Sequence, residues 1–191
     1  MSGDTDPWLV TSDPWLSQGD VFAQIPVWQA GMLSQQTIVR GPALLVTRSC
    51  DLDKAKNNGQ PAIEFLNFLP LQSFSELHNA NRNKAEELRR RALEGTDTPY
   101  SVLYLGDIPQ IGECYAPLTQ PFSLPAELFK VEIRVFSPDE TGEVPEADHR
   151  RLIAGANDTR VGRLGDPLAN LFVRKWIIHW TGLSPAQDAD V

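Results

Sequence analysis

Apolar residues occupy every second position of the stretch DVFAQIPVW, which runs from Asp20 to Trp28. A period of two residues is typical of a strand with one buried face. Pro26 lies within the pattern and has no N–H group to donate to a neighbouring strand. The pattern therefore predicts a strand that lies at a sheet edge or bulges at this proline.

Further short apolar stretches follow along the chain, and glycine, proline or asparagine residues separate most of them. They predict strands at 37–39, 43–47 and 62–68, and others beginning near Tyr100, Glu113 and Val131. Short strands with frequent turn residues between them favour an antiparallel barrel or sandwich. The predicted fold class is therefore mainly β with added helices (α+β).

Two stretches, 76–94 and 166–180, show helical periodicity instead. The second begins with Asp-Pro, and this pair suits the N-cap and the first helical position because the missing N–H of proline costs nothing there. Leu168, Leu171 and Phe172 are predicted to pack this helix against the sheet. The first helix would be an insertion in the series of strands.

The chain has 191 residues, of which 41% are hydrophobic, and can bury one sizeable core. We expect a single domain over residues 18–183. Residues 1–17 are expected to form a flexible acidic tail, and residues 184–191 a disordered acidic one. The core of the domain is predicted to contain Val21, Leu44, Val46, Ile63 and Phe65.

The formal net charge is −8, whereas nucleic-acid binders usually present a basic face that displaces counterions from phosphates. The chain contains no run of about 18 apolar residues, which is the length needed to span a membrane. Its acidic N-terminus also lacks the basic segment followed by an apolar segment that is typical of a secretion signal. We therefore expect a cytoplasmic protein without a membrane partner. The two cysteines form no Cys-x-x-Cys pair, so neither a metal nor a cofactor is expected.

The N-terminal tail contains the tetrapeptide DPWL twice, with Trp8 in the first copy and Trp15 in the second. One interpretation is that these side chains bind a groove on a partner protein. The other is that they pack onto the tail's own domain.

The predicted strand 43–47 runs directly into Arg48, Ser49, Cys50 and Asp51. A nucleophilic cysteine requires a lowered thiol pKa and usually a histidine beside it, whereas a lone cysteine at a strand end usually behaves as a small buried hydrophobe. We expect Cys50 to face inward. Arg48 and Asp51 would then form the polar rim of a pocket or interface.

Asp53 follows shortly after this segment, and its side chain, like that of Asp51, is expected to bond backbone amides in the turn that leads into NNG.

Several motifs occur in a suggestive order: QGDVF at the first strand, then RGPALLVT, then NFLPLQS, and later ECYAPLTQPFSLPAELF. This order resembles the MazF/PemK family of toxin endoribonucleases. The resemblance implies a bent antiparallel SH3-like barrel with an inserted helix and a C-terminal helix, and with insertions near 76–95 and 131–160. Members of the family are usually dimeric, so a homodimer is one expectation for this chain. TRSCDLDK also resembles a Ser-Cys-Asp-Leu signature of uncharacterised bacterial proteins with a similar plan.

The resemblance also implies positions for an RNA-cleavage site. The family's arginine, which stabilises charge on the phosphorane, would be Arg40, and the hydroxyl beside it would be Ser73. Gln72 stands where the family favours threonine, and Arg40 lies one residue further from the proline than in the family pattern.

Three functions follow from these observations. The first is a non-catalytic protein-interaction module of a bacterial toxin, defence or regulatory system, in which Arg48, Asp51, Asp53, Gln72 and the two tail tryptophans are the candidate binding residues. The second is a divergent endoribonuclease that cleaves single-stranded RNA through Arg40 and Ser73. The third is a small-substrate enzyme that uses Cys50.

Overall fold

The computed structural model describes residues 8–9, 16–30, 36–52, 62–93, 101–129, 132–135, 150–153 and 159–181. In chain order, its strands are β1 (Trp8–Leu9), β2 (Asp20–Ala30), β3 (Gln36–Leu45), β4 (Phe65–Pro70), β5 (Gln72–Ser73), β6 (Val102–Ile108), β7 (Gly112–Pro117), β8 (Phe122–Pro125), β9 (Glu132–Val135), β10 (Arg150–Ile153) and β11 (Arg160–Leu164). The α-helices are α1 (Ser49–Leu52), α2 (Phe74–Ala80), α3 (Arg82–Leu93) and α4 (Asp166–Thr181), and Ala126–Phe129 forms a 3₁₀ helix.

The strands form three sheets in which every neighbouring pair is antiparallel. The largest has the order β1-β11-β2-β3-β4-β8, the second has the order β5-β7-β6, and β9 pairs with β10 in the third. The predicted α+β class with antiparallel sheets is confirmed. Among the residues described, the strands form no closed barrel.

The centre of the six-stranded sheet, around the second half of β3, is buried on both faces. On one face, Leu44, Val46 and Leu69 pack with the three-stranded sheet and with Phe172 of α4. On the other face, a second cluster contains Phe22, Ile25, Leu45, Leu66, Phe68 and Leu124. The segment Ala43–Val46, at the end of β3 and just beyond it, therefore has no exposed position, which explains why its sequence is continuously apolar.

Leu71 marks the point where the chain passes from one sheet to the other. It lies between β4 and β5, and its N–H donates to the carbonyl of Pro42 at 2.9 Å. Beyond this hydrogen bond, β5 pairs with β7 in the three-stranded sheet, while β3 stays with β2 in the six-stranded one. The two sheets therefore separate at Leu71.

The Gly-Asp pair at the start of β2 has a structural role. Asp20 is fully buried, and its carboxylate accepts hydrogen bonds from Arg163 Nε at 2.6 Å and from the Ser17 N–H at 2.8 Å, with Arg160 at 3.4 Å. Burial raises the pKa of Asp20, and the two guanidinium groups oppose that shift. Gly19 has a φ of +94°, and a Cβ there would lie only 3.3 Å from Leu164 Cβ, so the position favours glycine.

Several boundaries differ from those predicted. The strands predicted at 37–39 and 43–47 are one continuous β3, and the strand predicted at 62–68 is β4, shifted towards Pro70. Phe65, predicted in the core, is 53% exposed because its neighbour Leu66 occupies the buried side of the strand. Ile63 is partly buried against the second cluster.

The helix predicted over 76–94 is two helices, because Asn81 leaves the helical conformation (φ −156°, ψ 89°). Its side-chain oxygen accepts the N–H of Lys84 at 3.0 Å, so it acts as the N-cap of α3. α4 matches its prediction closely, but Leu171 is 41% exposed and does not pack on the sheet as expected. Leu171 lies about 100° around the helix axis from Phe172, which places it beside the buried stripe.

Residues Trp8–Leu9 of the predicted tail pair with β11 as a short strand. No helix among the described segments is long and apolar enough to cross a membrane.

Candidate functional site

A cleft of about 680 Å³ opens where β3 and β5 separate. Its walls include Arg40 from β3, Gln72 and Ser73 from β5, Glu76 from α2, and Ile111 from the turn between β6 and β7. Val27, Val39 and Leu71 supply apolar surface, and Gln24, Gln110 and Gln120 supply further amide groups. The cleft thus combines an apolar part with many uncharged polar groups.

Arg40 and Ser73 face each other across this cleft as a consequence of strand register. β3 and β4 pair antiparallel, with Ala43 opposite Pro70 and Leu44 opposite Leu69. Continued past the hydrogen bond between Leu71 and Pro42, the same register places residue 40 opposite residue 73. The strands diverge there instead, and the opposed residues become the two walls of the cleft.

Hydrogen bonds between side chains order the polar residues on the β5 wall of the cleft. Gln72 accepts a hydrogen bond from the Tyr115 hydroxyl at 2.5 Å and donates to Gln120 Oε1 at 3.4 Å. The hydroxyls of Ser73 and Ser75 are 2.8 Å apart and share a hydrogen bond. Burial raises the pKa of Tyr115 above its ordinary value, at which the phenol is already protonated near neutral pH. This wall presents ordered amide and hydroxyl groups.

The charges in the cleft are few and balanced. Arg40 is exposed and forms no ion pair with any described carboxylate, and Glu76, also exposed, is the one acidic residue among the described lining residues. No other described lining residue is charged. The site therefore has a cation at one wall, an anion at another, and a net charge near zero.

Cys50 lies in α1 and is exposed, so the prediction that it faces inward is wrong. The buried run of the chain ends at Thr47, and the short helix α1 then buries Leu52 in place of the cysteine. Arg48 Nε and Asp51 Oδ2 form an ion pair at 2.9 Å on the surface. None of the residues from Arg48 to Asp51 lines the cleft.

In the part of the chain that the structure describes, no histidine forms a hydrogen bond with Cys50. His78 lies 3.7 Å from Glu86, and His179 packs against the ring of Trp180 at 5.3 Å between centroids. His149 lies outside the described residues. Within the described part of the chain, no group of three or more histidine, cysteine or acidic residues could hold a metal ion.

Three of the predicted binding residues cannot be placed at a site. Asp53 and Trp15 lie outside the described residues, and only the backbone of Trp8 is described. Of the other candidates, Arg40, Gln72 and Ser73 meet at the cleft, whereas Arg48, Cys50 and Asp51 lie together elsewhere on the surface.

Sequence reasoning did not find a polar network beside the cleft. Arg89 of α3 makes a bidentate hydrogen bond with Glu113 of β7, its Nε lying 2.8 Å from Oε1, and the Tyr104 hydroxyl donates to the same carboxylate. Arg89 also stacks over the Phe74 ring at 4.5 Å. The guanidinium holds the pKa of Glu113 below its usual range, and burial raises the pKa of Tyr104 to about 12.

This network fastens α3 to the three-stranded sheet and thereby supports α2, which forms part of the cleft wall. The only sequence signal for it is the basic run that contains Arg89, which gives no indication of the partner on β7.

The chain matches no protein-family model. No curated protein is significantly similar to it in sequence.

Proposed function

We propose that the chain is a divergent MazF-like module, with an SH3-like barrel plan, that binds another protein through the cleft and has no catalytic role. Its setting would be a bacterial toxin, defence or regulatory system. The main support is the composition of the cleft, which pairs one arginine with one glutamate among amides, hydroxyls and apolar side chains. Such a surface suits a polypeptide, which offers both apolar and amide groups.

A cleft for RNA needs a different charge balance. Affinity for a phosphate backbone comes largely from several lysine or arginine contacts that release counterions. Arg40 is the one cation among the described lining residues, and Glu76 opposes it. The net charge of −8 adds a repulsive long-range field for a polyanion.

The experiment is a selection of seven-residue peptides from a random library displayed on phage, followed by affinity measurements on synthetic peptides by fluorescence anisotropy. Arg40→Ala should weaken binding of the selected peptides about tenfold or more, since it removes a charge-assisted contact. Arg174→Ala, which changes an exposed arginine on α4, is the matched control and should leave affinity unchanged. Failure to obtain any peptide whose binding depends on Arg40 would contradict the proposal.

A second candidate function, endoribonuclease activity, is favoured by one observation: Arg40 and Ser73 line the same cleft from opposite walls. These are the residues that the family resemblance implies for RNA cleavage. In a nuclease, Arg40→Ala would remove a donor to the developing charge, and loss of one such donor typically lowers the rate about 10²–10³-fold.

We expect purified protein to leave single-stranded RNA intact. Cleavage that weakens steeply with salt and is lost in both Arg40→Ala and Ser73→Ala would replace the binding proposal with the nuclease. Activity that survives both changes but disappears in Cys50→Ser would favour the thiol enzyme.

A further inference from the structure

β3 has an edge that no described strand covers. It runs from Gln36 to Leu45, but only Ala43–Leu45 pairs with β4. On its other side, β3 pairs with β2 as far as Gln36. The half of β3 before Pro42 thus has one side without a neighbouring strand in the described part of the chain.

The hydrogen bond from Leu71 shows which backbone groups lie on that side. In an antiparallel ladder, alternate residues direct their N–H and C=O groups to opposite neighbours. Since the carbonyl of Pro42 faces Leu71, the backbone groups of Arg40 and Ile38 face the same way, and those of Val39 and Gly41 face β2. The amide and carbonyl of Arg40 therefore face the cleft.

The opposite wall offers a similar edge. β5 pairs with β7 on one side, and the Leu71 N–H that precedes it faces β3. By the same alternation, the backbone N–H of Ser73 is directed towards the cleft. The cleft therefore lies between two diverging strands that both present backbone hydrogen-bonding groups to it.

The size of the cleft matches a short strand. With a rise of about 3.3 Å per residue, a spacing of about 4.8 Å between strands and about 10 Å between layers, one strand residue occupies about 160 Å³. A cleft of about 680 Å³ then holds about four residues.

We propose that the cleft takes an extended segment of a partner protein, which adds as a strand to the edge of β3 that no described strand covers and fills the gap between β3 and β5. This inference rests on the proposed function and specifies how the partner is recognised. Main-chain hydrogen bonds to Arg40 and Ile38 provide affinity, as in other cases of strand addition. An acidic side chain beside Arg40 and a basic one towards Glu76 provide the charge complementarity.

A second copy of the chain is a poorer occupant. Each copy has a net charge of −8, so two copies repel each other. The β3 edge also lies inside a cleft with room for about one strand, and the edge of a folded sheet does not fit there.

Amide hydrogen exchange measured by NMR tests the backbone contacts. In the free protein, the amides of Val39 and Gly41 should be protected and those of Ile38 and Arg40 should exchange rapidly. On saturation with a peptide from the selection above, the Ile38 and Arg40 amides should slow by about tenfold or more.

N-methylation of the same peptide supplies a second test. Methylating alternate amides in one register should weaken binding about tenfold, because about two main-chain hydrogen bonds are lost. Methylating the other register should change affinity little, because those amides face away from β3.

The outcomes distinguish strand addition to β3 from the more general proposal that the cleft binds a partner protein. A peptide that needs Arg40 for binding, but leaves the Arg40 amide unprotected or is equally sensitive to both methylation registers, would overturn strand addition and leave cleft binding standing. The absence of any peptide that depends on Arg40 would overturn both. Gel filtration showing dimers that dissociate in Arg40→Ala would overturn the assignment to a partner protein and favour a second copy.

Discussion

The buried carboxylate of Asp20 should be among the most sensitive positions in the chain. Asp20→Ala removes one acceptor from Arg163, whose side chain is 18% exposed, and from Arg160, whose side chain is 5% exposed. Removing one partner of a buried ion pair typically costs about 3–5 kcal/mol, because the remaining charge stays in a poorly solvated site. The Ser17 N–H also loses its acceptor, which adds about 1 kcal/mol.

Urea unfolding at pH 7, followed by tryptophan fluorescence and circular dichroism, measures this loss. With an m-value of about 2 kcal/mol/M, the midpoint should fall by about 2–3 M. Asp20→Asn keeps an oxygen for the Ser17 N–H and should cost less than the alanine variant. Asp107→Ala, at an exposed position of β6, is the matched control and should change stability by less than about 0.5 kcal/mol.

A double-mutant cycle with Arg163→Ala tests the cause of the effect. The double variant should be more stable than the sum of the single losses implies, with a coupling of about 1–3 kcal/mol. If Asp20→Ala lost less than about 1 kcal/mol, or if the two losses simply added, the carboxylate would not hold β2 to β11 as described.

Three further predictions concern the core, the thiols and the network on β7. Phe172→Ala should lower the free energy of unfolding by about 3–5 kcal/mol, because this residue is 1% exposed. Leu171→Ala on the same helix should lower it by about 1 kcal/mol or less. Equal losses for the two variants in urea unfolding would contradict the observed orientation of the helix. With Ellman's reagent at pH 8, the exposed Cys50 thiol should react rapidly, and this rapid phase should be missing in Cys50→Ser. Burial raises the pKa of Cys114 to about 11, so its thiol should react only on unfolding. Glu113→Gln should destabilise the protein less at pH 3 than at pH 7. The folded pKa of this carboxyl is lowered, so its contribution is present above the ordinary value of 4.5 and is lost as the pH falls through the folded value; a pH-independent difference would refute this.

Local signals were sufficient for β2 and α4. The alternation from Asp20 defined β2, but the register shift lies between Phe22 and Ile25 and not at Pro26, where a bulge was predicted. Pro26 is tolerated because it lies opposite Arg40, at a position whose nitrogen faces away from β3. The Asp-Pro pair likewise marked the start of α4, but the helix begins at Asp166 itself and the carbonyl of Gly165 accepts its first hydrogen bonds, so the predicted N-cap is displaced by one residue.

Long-range features were not accessible in this way. Nothing near Leu71 indicates that the chain changes sheets there, because the change depends on its hydrogen bond to Pro42. Cys50 was misplaced because an apolar strand does not indicate how the chain turns after it ends. At the candidate site, only the family resemblance connected Arg40 with Ser73, and no periodic pattern links residues from strands so far apart in sequence.

The double burial of the central sheet has a consequence for folding. In a strand with one solvent-exposed face, a one-residue shift of the pairing register is unfavourable, because the shift exposes apolar side chains and buries polar ones. Ala43, Leu44, Leu45 and Val46 are all buried, so a slipped β3 would exchange one apolar side chain for another.

The correct alignment must then be selected by polar contacts at the strand ends. At the start of β2, the Asp20 carboxylate accepts a hydrogen bond from Arg163 of β11. Just beyond β3, the Thr47 hydroxyl accepts a hydrogen bond from the Asn67 N–H at 2.7 Å. Substitutions of Asp20 or Thr47 should therefore populate long-lived folding intermediates with a shifted strand register, in addition to lowering stability. Conservative apolar substitutions in β3 should lower stability alone. In this molecule the fidelity of folding depends on a few buried polar groups, and the hydrophobic residues supply most of the driving force without specifying the alignment.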